Sequence, residues 1–364
     1  MNNTKLTAAA VGLAIFAITA FVLELTAPTL PHWRMAPDSE AEHVMSLAWH
    51  TQQNQLYAGT QTGALLIGTG GDWHSLPGPA ERPITAILTA PDLLLGTGAG
   101  LYRRADDGQW LELTTGLPTR MRIGDLQTAA DQPILLAGAE GIFQSDDQGR
   151  SWQALDSHGL PATAVYRIAS AGIDGGRVLH AGLIGAGVYS RIDNGRQQTA
   201  WLANNAGLPA EAKVLSLLPL TQGALLAGTD RGVYRQAQPF TEWQPLGRAL
   251  GRLRVLSLAL DRQTGSLWAG SDHGVYRADA GLLDDGGTED WRQLPPGRAF
   301  AAPVSTVLPT PQGMYLAAGD IYYLEQRRIP DPLRLLSALL LGAIGFAVTR
   351  YRLANRRRSD NTAA

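Results

Sequence analysis

The chain has 364 residues, which is enough for one large β domain or two domains of ordinary size. Its 30 Lys and Arg residues against 32 Asp and Glu residues leave a net charge of −2, which excludes the strongly basic surface that nucleic-acid binding requires. The chain contains no Cys, so disulfides, thiolate metal sites and cysteine nucleophiles are also excluded.

The first element is a long apolar run from Leu6 to Leu25, with Glu24 as its only charge. As a helix, a run of this length rises about 30 Å, which is the thickness of the hydrocarbon core of a bilayer. We therefore predict a transmembrane helix at 6–27, preceded by a cytoplasmic N-terminus at 1–5. A cleaved signal peptide is the alternative, but the run is long for one and Pro28 follows the only plausible cleavage site.

A second uncharged run, 335–349, lies near the other end of the chain between two arginines. Long basic side chains at both ends can reach the membrane interfaces, so we predict a second transmembrane helix at 331–350. The arginines of the basic tail at 351–364 place that tail in the cytoplasm. We expect both termini in the cytoplasm, and the domain between the helices in the periplasm at the inner (cytoplasmic) membrane of a bacterium.

The chain between these segments, 28–330, is built from repeats. In each copy an apolar strand ends in a small or apolar residue followed by an anchor glycine. The anchor glycines are Gly59, Gly96, Gly138, Gly182, Gly228, Gly270 and Gly319. Their spacings are 37, 42, 44, 46, 42 and 49 residues, which is the length of a four-stranded propeller blade.

Most copies continue with a glycine that opens an aromatic strand, as in Gly232-Val233-Tyr234, and then with a Trp that begins an outer strand. The seventh copy lacks this Trp, whereas Trp33 precedes the first copy. We therefore predict that the segment around Trp33 completes the seventh blade, which removes the open sheet edges. The predicted fold is all-β, a seven-bladed β-propeller closed by an N-terminal strand and flanked by two transmembrane α-helices.

One copy carries the complete pattern S-x-D-x-G-x-[ST]-W, known as the Asp-box, at Ser145, Asp147, Gly149, Ser151 and Trp152. A carboxylate in a turn accepts backbone N–H groups, glycine supplies a positive φ, and Trp packs into the core. Similar Asp residues recur in weaker copies. We therefore interpret Asp147 as a structural turn residue and not as a catalytic acid.

The succession of Ala-Gly-Thr, Gly-hydrophobic-Tyr, Asp-x-Gly-x-x-Trp and Gly-Leu-Pro resembles the sialidase-like Asp-box (BNR-repeat) propellers. It most resembles the photosystem II stability and assembly factor propellers and their bacterial relatives, over about Trp33 to Arg328. The resemblance implies a seven-bladed propeller that acts as a scaffold in building membrane complexes. The two predicted membrane helices depart from the soluble or lipid-anchored photosynthetic members. The resemblance therefore implies a scaffold role and does not imply a photosynthetic host.

Basic residues recur in the loops that enter the inner strands. They are Arg82, Arg120, Arg122, Arg167, Lys213, Arg252 and Arg254. In a closed propeller these positions surround one mouth of the central channel. They are our candidates for binding an acidic partner or a carboxylate ligand, the alternative being an ordinary solvated loop surface.

No pattern indicates catalysis, a metal or a cofactor. The seven His residues form no i, i+4 pair and no cluster with carboxylates. A sialidase needs an arginine cluster, a Tyr nucleophile and an acid/base Asp. The Arg-Ile-Pro string at Arg328 lies at the wrong end of the chain, and the tyrosines at 102, 189, 234 and 276 share one repeat position, which is typical of packing residues.

We therefore expect a non-catalytic scaffold, assembly factor or accessory subunit. Its predicted partners are the subunits of an integral-membrane complex and the lipid bilayer, and nucleic acid is not among them. The first alternative is a periplasmic ligand-sensing or ligand-binding propeller, placed second because the predicted cytoplasmic tail is short for a signalling domain. The second alternative is a sialidase-like glycoside hydrolase.

Overall fold

Seven short apolar strands, one at the start of each repeat, surround the centre of the propeller. In a computed structural model of the protein, each is the innermost strand of a four-stranded sheet. Neighbouring inner strands pack against one another, and the last inner strand contacts the first, so the seven sheets close into a ring. The predicted all-β, seven-bladed propeller is thereby confirmed.

The structure describes residues 14, 17, 29–36, 43–69, 72–89, 92–128, 132–194, 199–283, 291–294, 300, 302–328, 341, 343, 344, 346–348 and 351. The chain divides into two units, of which the propeller comprises Trp33–Leu324. In the other unit, residues 14 and 17 and those described from 341 to 351 are helical. Among all described residues, no helix is long and apolar enough to cross a membrane. The transmembrane helices expected at 6–27 and 331–350 lie almost wholly outside the described residues and stay predictions.

The strands follow the repeats in chain order. Strand β1 (Thr29–Met35) precedes them. Blade one contains β2 (Val44–His50), β3 (Gln55–Thr60), β4 (Leu65–Thr69) and β5 (Asp72–Leu76). Blade two contains β6 (Ile84–Leu88), β7 (Leu94–Thr97), β8 (Gly100–Arg104) and β9 (Trp110–Glu112). Blade three contains β10 (Ile123–Gln127), β11 (Ile134–Gly138), β12 (Gly141–Ser145) and β13 (Gln153–Ala154).

The remaining blades repeat this order. Blade four contains β14 (Val165–Ile173), β15 (Gly176–Leu183), β16 (Gly187–Asp193) and β17 (Leu202–Ala203). Blade five contains β18 (Val214–Pro219), β19 (Leu225–Thr229), β20 (Gly232–Gln236) and β21 (Gln244–Pro245). Blade six contains β22 (Val255–Asp261), β23 (Ser266–Ser271), β24 (Gly274–Asp279) and β25 (Arg292–Gln293). Blade seven contains β26 (Thr306–Thr310), β27 (Gly313–Ala318) and β28 (Asp320–Arg328), and short 3-10 turns occur at Thr221–Gly223 and Ala280–Leu283.

The seventh blade is completed by the N-terminal strand. Its strand order is β1-β28-β27-β26, so β1 takes the outer position that a Trp strand holds in the other blades. Trp33 is buried and packs edge-on against Trp268 and Phe300. The backbone N–H of Val44 in blade one donates to the carbonyl of Gly319 in blade seven at 2.7 Å. The ring therefore closes as the position of Trp33 predicts.

The outer-strand tryptophans join consecutive blades. The backbone N–H of Trp243 in blade five donates to the carbonyl of Ala206 at 2.8 Å, and its indole N–H donates to the carbonyl of Asn204, also at 2.8 Å. The adjacent Gly207 has a φ of +89°, and a Cβ atom there would lie 2.2 Å from the Trp243 carbonyl oxygen. The Gly of the Gly-Leu-Pro motif is thus required both by its backbone conformation and by the tryptophan of the next blade.

Candidate functional site at the channel mouth

The first six inner strands share an irregularity in strand pairing. Directly after the first residue of each strand, the pairing with the second strand shifts by one position, as in a β-bulge. The residues at these bulges are Met45, Thr85, Gly124, Tyr166, Leu215 and Leu256. Bulges redirect side chains and are frequent beside binding sites. All six bulge residues line a single cavity at the mouth of the central channel.

These bulge residues were not predicted from the sequence. A one-residue shift in pairing requires no particular residue type, so no motif marks it. The available signal is positional, because in all six strands the bulge follows a β-branched Val or Ile and its own residue type changes from copy to copy.

The cavity has a volume of about 720 Å³, and every blade contributes to its lining. This volume lies within the range of small-molecule sites, which are typically concave and largely apolar with a few polar groups. A smaller cavity of about 220 Å³ shares Met45, Thr85, Arg167, Leu256 and Ser305 with the first, and so continues it into the channel.

Three of the seven predicted basic residues line the cavity. Arg82, Arg122 and Arg167 lie on consecutive blades, two to four. Arg167 is the third residue of β14, so the prediction that it lies in a loop is wrong; the bulge before it turns this strand position toward the channel. The other four residues lie outside the lining on exposed loops: Arg120, Lys213, Arg252 and Arg254.

Arg167 is held against the channel wall. Its Nη1 donates to the carbonyls of Gly124 at 3.0 Å and Tyr166 at 3.1 Å, and its guanidinium carbon lies 4.1 Å from the centre of the Tyr166 ring. Its Nε and Nη2 donate to none of the described residues. The side chains of Arg82 and Arg122 form no hydrogen bond or ion pair within the described part of the chain. All three guanidinium groups therefore keep N–H donors for an external acceptor.

Asp125 lies in the channel beside Arg167. Its Oδ2 accepts the backbone N–H of Ile168 at 3.1 Å, and its Oδ1 accepts the amide of Gln127 at 3.1 Å. Burial raises the pKa of Asp125, while the positive charge of Arg167 opposes the rise. Asp125 thus joins blades three and four. It was not singled out from the sequence, since no local pattern shows that this strand position faces the next blade.

The basic loops of blades five and six lie beside carboxylates. On blades five and six, the backbone N–H groups of Lys213 and Arg254 donate to the carboxylates of Asp230 at 3.0 Å and Asp272 at 3.2 Å. Among the described residues, no ion pair joins either carboxylate to the side chain of Lys213 or Arg254. The arginines that line the cavity lie on blades two to four, where Arg167 has the carboxylate of Asp125 beside it.

The Asp-box forms a self-contained turn. Asp147 Oδ1 accepts the Ser151 N–H and the Ser145 hydroxyl, each at 2.8 Å, and Oδ2 accepts the Ser151 hydroxyl at 2.6 Å. These hydrogen bonds, led by that from the Ser151 hydroxyl, lower the pKa of Asp147 to about 2. Gly149 has a φ of +86°, and Trp152 is buried with its indole N–H on the Gly149 carbonyl. A general acid requires a raised pKa, so this geometry fits a structural role.

Three of the four tyrosines at the shared repeat position have phenol groups that burial makes harder to ionise. Burial raises the pKa of Tyr102, Tyr234 and Tyr276, whereas a nucleophilic phenol needs a lowered pKa. Among the described residues, no group of three or more His, Asp or Glu side chains could hold a metal ion. The expectation that the protein is not an enzyme stays a prediction.

Comparisons with solved structures support the propeller fold. No family model matches the chain, and no curated protein matches it. Two solved structures of the extracellular domain of BT4673 from B. thetaiotaomicron each align with a TM-score of 0.63. One describes BT4673 as a one component system and the other as a hybrid two component system. Their identities are 19% and 18%, over 80% and 82% of this chain. The extracellular domain of the hybrid two component system BT3049 from the same organism aligns with a TM-score of 0.64 and 13% identity over 83% of the chain.

The aligned region spans about two fifths of each of these structures, at 39%, 40% and 42% of their length. At such identities the likeness shows the fold alone. The predicted relationship to photosystem II assembly factors is not among these findings and stays a prediction.

Proposed function

We propose that this propeller is a non-catalytic, extracytoplasmic ligand-recognition domain whose channel mouth binds an anionic group of a small ligand. The observation that carries the proposal is the presence of three guanidinium groups on adjacent blades around a concave cavity of about 720 Å³. Guanidinium groups bind carboxylates with charge-assisted, often bidentate hydrogen bonds. The similar solved propellers are extracellular domains of one component and hybrid two component systems. This similarity supports ligand recognition over the scaffold role that the sequence favours.

The geometry of the cavity favours a small ligand over a protein surface. Protein–protein interfaces of ordinary size bury about 800 Å² on each partner and are usually broad, whereas this site is a concave cavity at the mouth of a channel. The proposal includes the periplasmic location expected from the sequence, with the propeller anchored to the inner membrane by the flanking segments.

Binding of small carboxylates to the purified full chain, kept in mild detergent, tests the proposal. Isothermal titration calorimetry with a panel of mono- and dicarboxylates is expected to yield saturable binders whose neutral amides bind about tenfold more weakly or not at all. The variants Arg122→Gln and Arg167→Gln are expected to weaken binding about tenfold. The matched controls Arg252→Gln and Arg254→Gln, outside the cavity, are expected to leave it unchanged. Equal losses of affinity in both pairs of variants would contradict the proposal. The absence of saturable binding by any carboxylate in the panel would also contradict it.

A second candidate function is the scaffold role. The exposed basic residues outside the cavity, Arg120, Lys213, Arg252 and Arg254, supply a wider surface for an acidic segment of a membrane-complex subunit. The triple variant R120E/R252E/R254E is expected to lose subunits that co-purify with the wild-type chain after gentle extraction, while carboxylate binding at the cavity persists. Undiminished recovery of those subunits would count against the scaffold role.

A further inference from the structure

The cavity combines its arginines with a concentration of exposed apolar side chains. Within the described part of the propeller, six large apolar residues are exposed: Met45, Leu111, Tyr166, Ile184, Leu202 and Phe240. Three of them line the cavity, namely Met45 at 40%, Tyr166 at 38% and Ile184 at 42% exposure. Exposed apolar surface gathered in a concave site indicates a binding surface, whereas isolated exposed apolar residues need no explanation.

The apolar residues extend around the mouth away from the arginines, and the two groups share blade four. We define the cationic side as Arg82, Arg122 and Arg167, on blades two to four. We define the apolar side as Met45, Tyr166, Ile184, Leu215 and Leu256, on blades one, four, five and six. The two sides meet at blade four, where the Arg167 guanidinium lies over the Tyr166 ring.

We infer that the ligand of this site is an amphipathic carboxylate, with its acid group on the cationic side and an apolar body on the apolar side. This inference rests on the proposed function and names the class of ligand. A purely polar acid would leave the apolar side in contact with water. A purely apolar ligand would cover the guanidinium groups without supplying an acceptor, which is unfavourable.

A series of three probes separates the two contributions. The probes are 1-naphthaleneacetate, its neutral analogue 1-naphthaleneacetamide, and acetate, each titrated into the full chain by isothermal titration calorimetry. The naphthaleneacetate ion is expected to bind at least about tenfold more tightly than either of the others, because only it can use both sides of the mouth.

Variants on the apolar side identify the surface used. Met45→Ser and Ile184→Ser are expected to weaken binding of 1-naphthaleneacetate about fivefold each, with little change in acetate binding. Leu111→Ser and Leu202→Ser, which alter comparably exposed side chains outside the cavity, serve as matched controls and are expected to change neither. Unchanged thermal melting in all four variants ensures that a loss of binding is local.

The outcomes distinguish this inference from the function on which it rests. Arginine-dependent binding of a polar acid such as citrate, tighter than that of 1-naphthaleneacetate, would overturn the inference and leave the proposed function intact. Equal binding of the acid and its amide would overturn both, as would binding of every probe without dependence on the cationic side. Tighter binding of 1-naphthaleneacetate that is lost in the cavity variants, and kept in the controls, would support the inference.

Discussion

Gly59 of blade one faces Ile84 of blade two so closely that a Cβ atom on the glycine would lie 2.5 Å from Cγ2 of the isoleucine. Ile84 is the first residue of the next inner strand, and its carbonyl accepts the hydroxyl of Ser46, which pairs with Gly59 in the sheet. The same approach recurs between Gly96 and Ile123, also at 2.5 Å. Five anchor glycines therefore mark where a second strand packs against the next blade: Gly59, Gly96, Gly182, Gly228 and Gly270. A Cβ atom at Gly138 would instead meet Arg122 and Met121 of its own blade.

Replacing Gly59 by Ala is expected to destabilise the propeller by about 1–3 kcal/mol, because the added methyl group must displace the Ile84 side chain in a closely packed ring. Gly172, a strand glycine in β14, is the control because its Cβ would meet no atom within 4 Å. Gly172→Ala is expected to leave stability unchanged or slightly raised. Urea denaturation of both variants measures the difference, and equal stabilities would show that the interblade contact is unimportant.

Removal of the closing tryptophan tests how firmly the ring is joined. Trp33 is 3% exposed and contacts Trp268 and Phe300, so Trp33→Ala is expected to lose about 3–5 kcal/mol of unfolding free energy. The indole N–H of Trp33 has no hydrogen-bond partner in the described structure. Trp33→Phe is therefore expected to lose much less, since it keeps most of the ring contacts. Unfolding of the alanine variant at the wild-type urea midpoint would contradict a closing role for β1.

The fold could be predicted from the sequence because its packing constraints require particular residue types. Only glycine fits between neighbouring blades at Gly59, and only a large aromatic ring fills the gap that Trp33 closes. Such requirements leave the same residue in successive copies, so the blade number and the closing strand could be counted. The turn at Asp147 was identifiable for the same reason, since its hydrogen bonds need one carboxylate at one position.

The candidate site could be predicted only in part from the sequence. The basic residues could be assigned to one mouth, because the repeats fix where each loop enters the ring. Which of them reach the cavity depends on tertiary structure, as the contrast between Arg167, which lines the cavity, and Lys213, which does not, shows. The apolar side was missed because Met45 and Ile184 belong to no motif, and their exposure follows from tertiary structure alone.

The Asp147 turn is expected to give the protein a component of acid sensitivity. Its pKa is lowered from 3.8 to about 2, so the folded state binds the proton less readily than the unfolded state. The stabilisation is fully present above about pH 4 and is lost as the pH falls towards 2. Asp147→Asn is expected to lower the melting temperature at pH 7, with the difference from wild type shrinking below pH 4. Asp146→Asn, an exposed neighbour in the same turn, is the control, and an equal effect there would contradict the assignment.

His180 is expected to contribute a second acid sensitivity in a higher pH range. It is fully buried in β15, its Nδ1 lies 2.8 Å from the Ser190 hydroxyl, and its Nε2 has no partner in the described structure. Burial lowers the pKa of His180 from 6.5 to about 4, so the imidazole is neutral in the folded protein at pH 7. Between these values the unfolded chain binds the proton and the folded chain does not, so unfolding free energy falls as the pH drops from about 6.5 to 4.

The loss attributable to His180 is about 3 kcal/mol, since each pH unit of that interval corresponds to about 1.4 kcal/mol. Urea denaturation at pH 7 and pH 4.5 is expected to show a smaller pH dependence for His180→Gln than for the wild-type chain. Because the variant also loses the Ser190 contact, its stability at pH 7 is expected to be lower, and the diagnostic quantity is the difference between the two pH values. Nitrogen-15 NMR of the wild-type imidazole supplies an independent measurement. A His180 signal that titrates near pH 6.5 while the protein remains folded would show that the ring is accessible to protons and that its burial does not control the pH dependence.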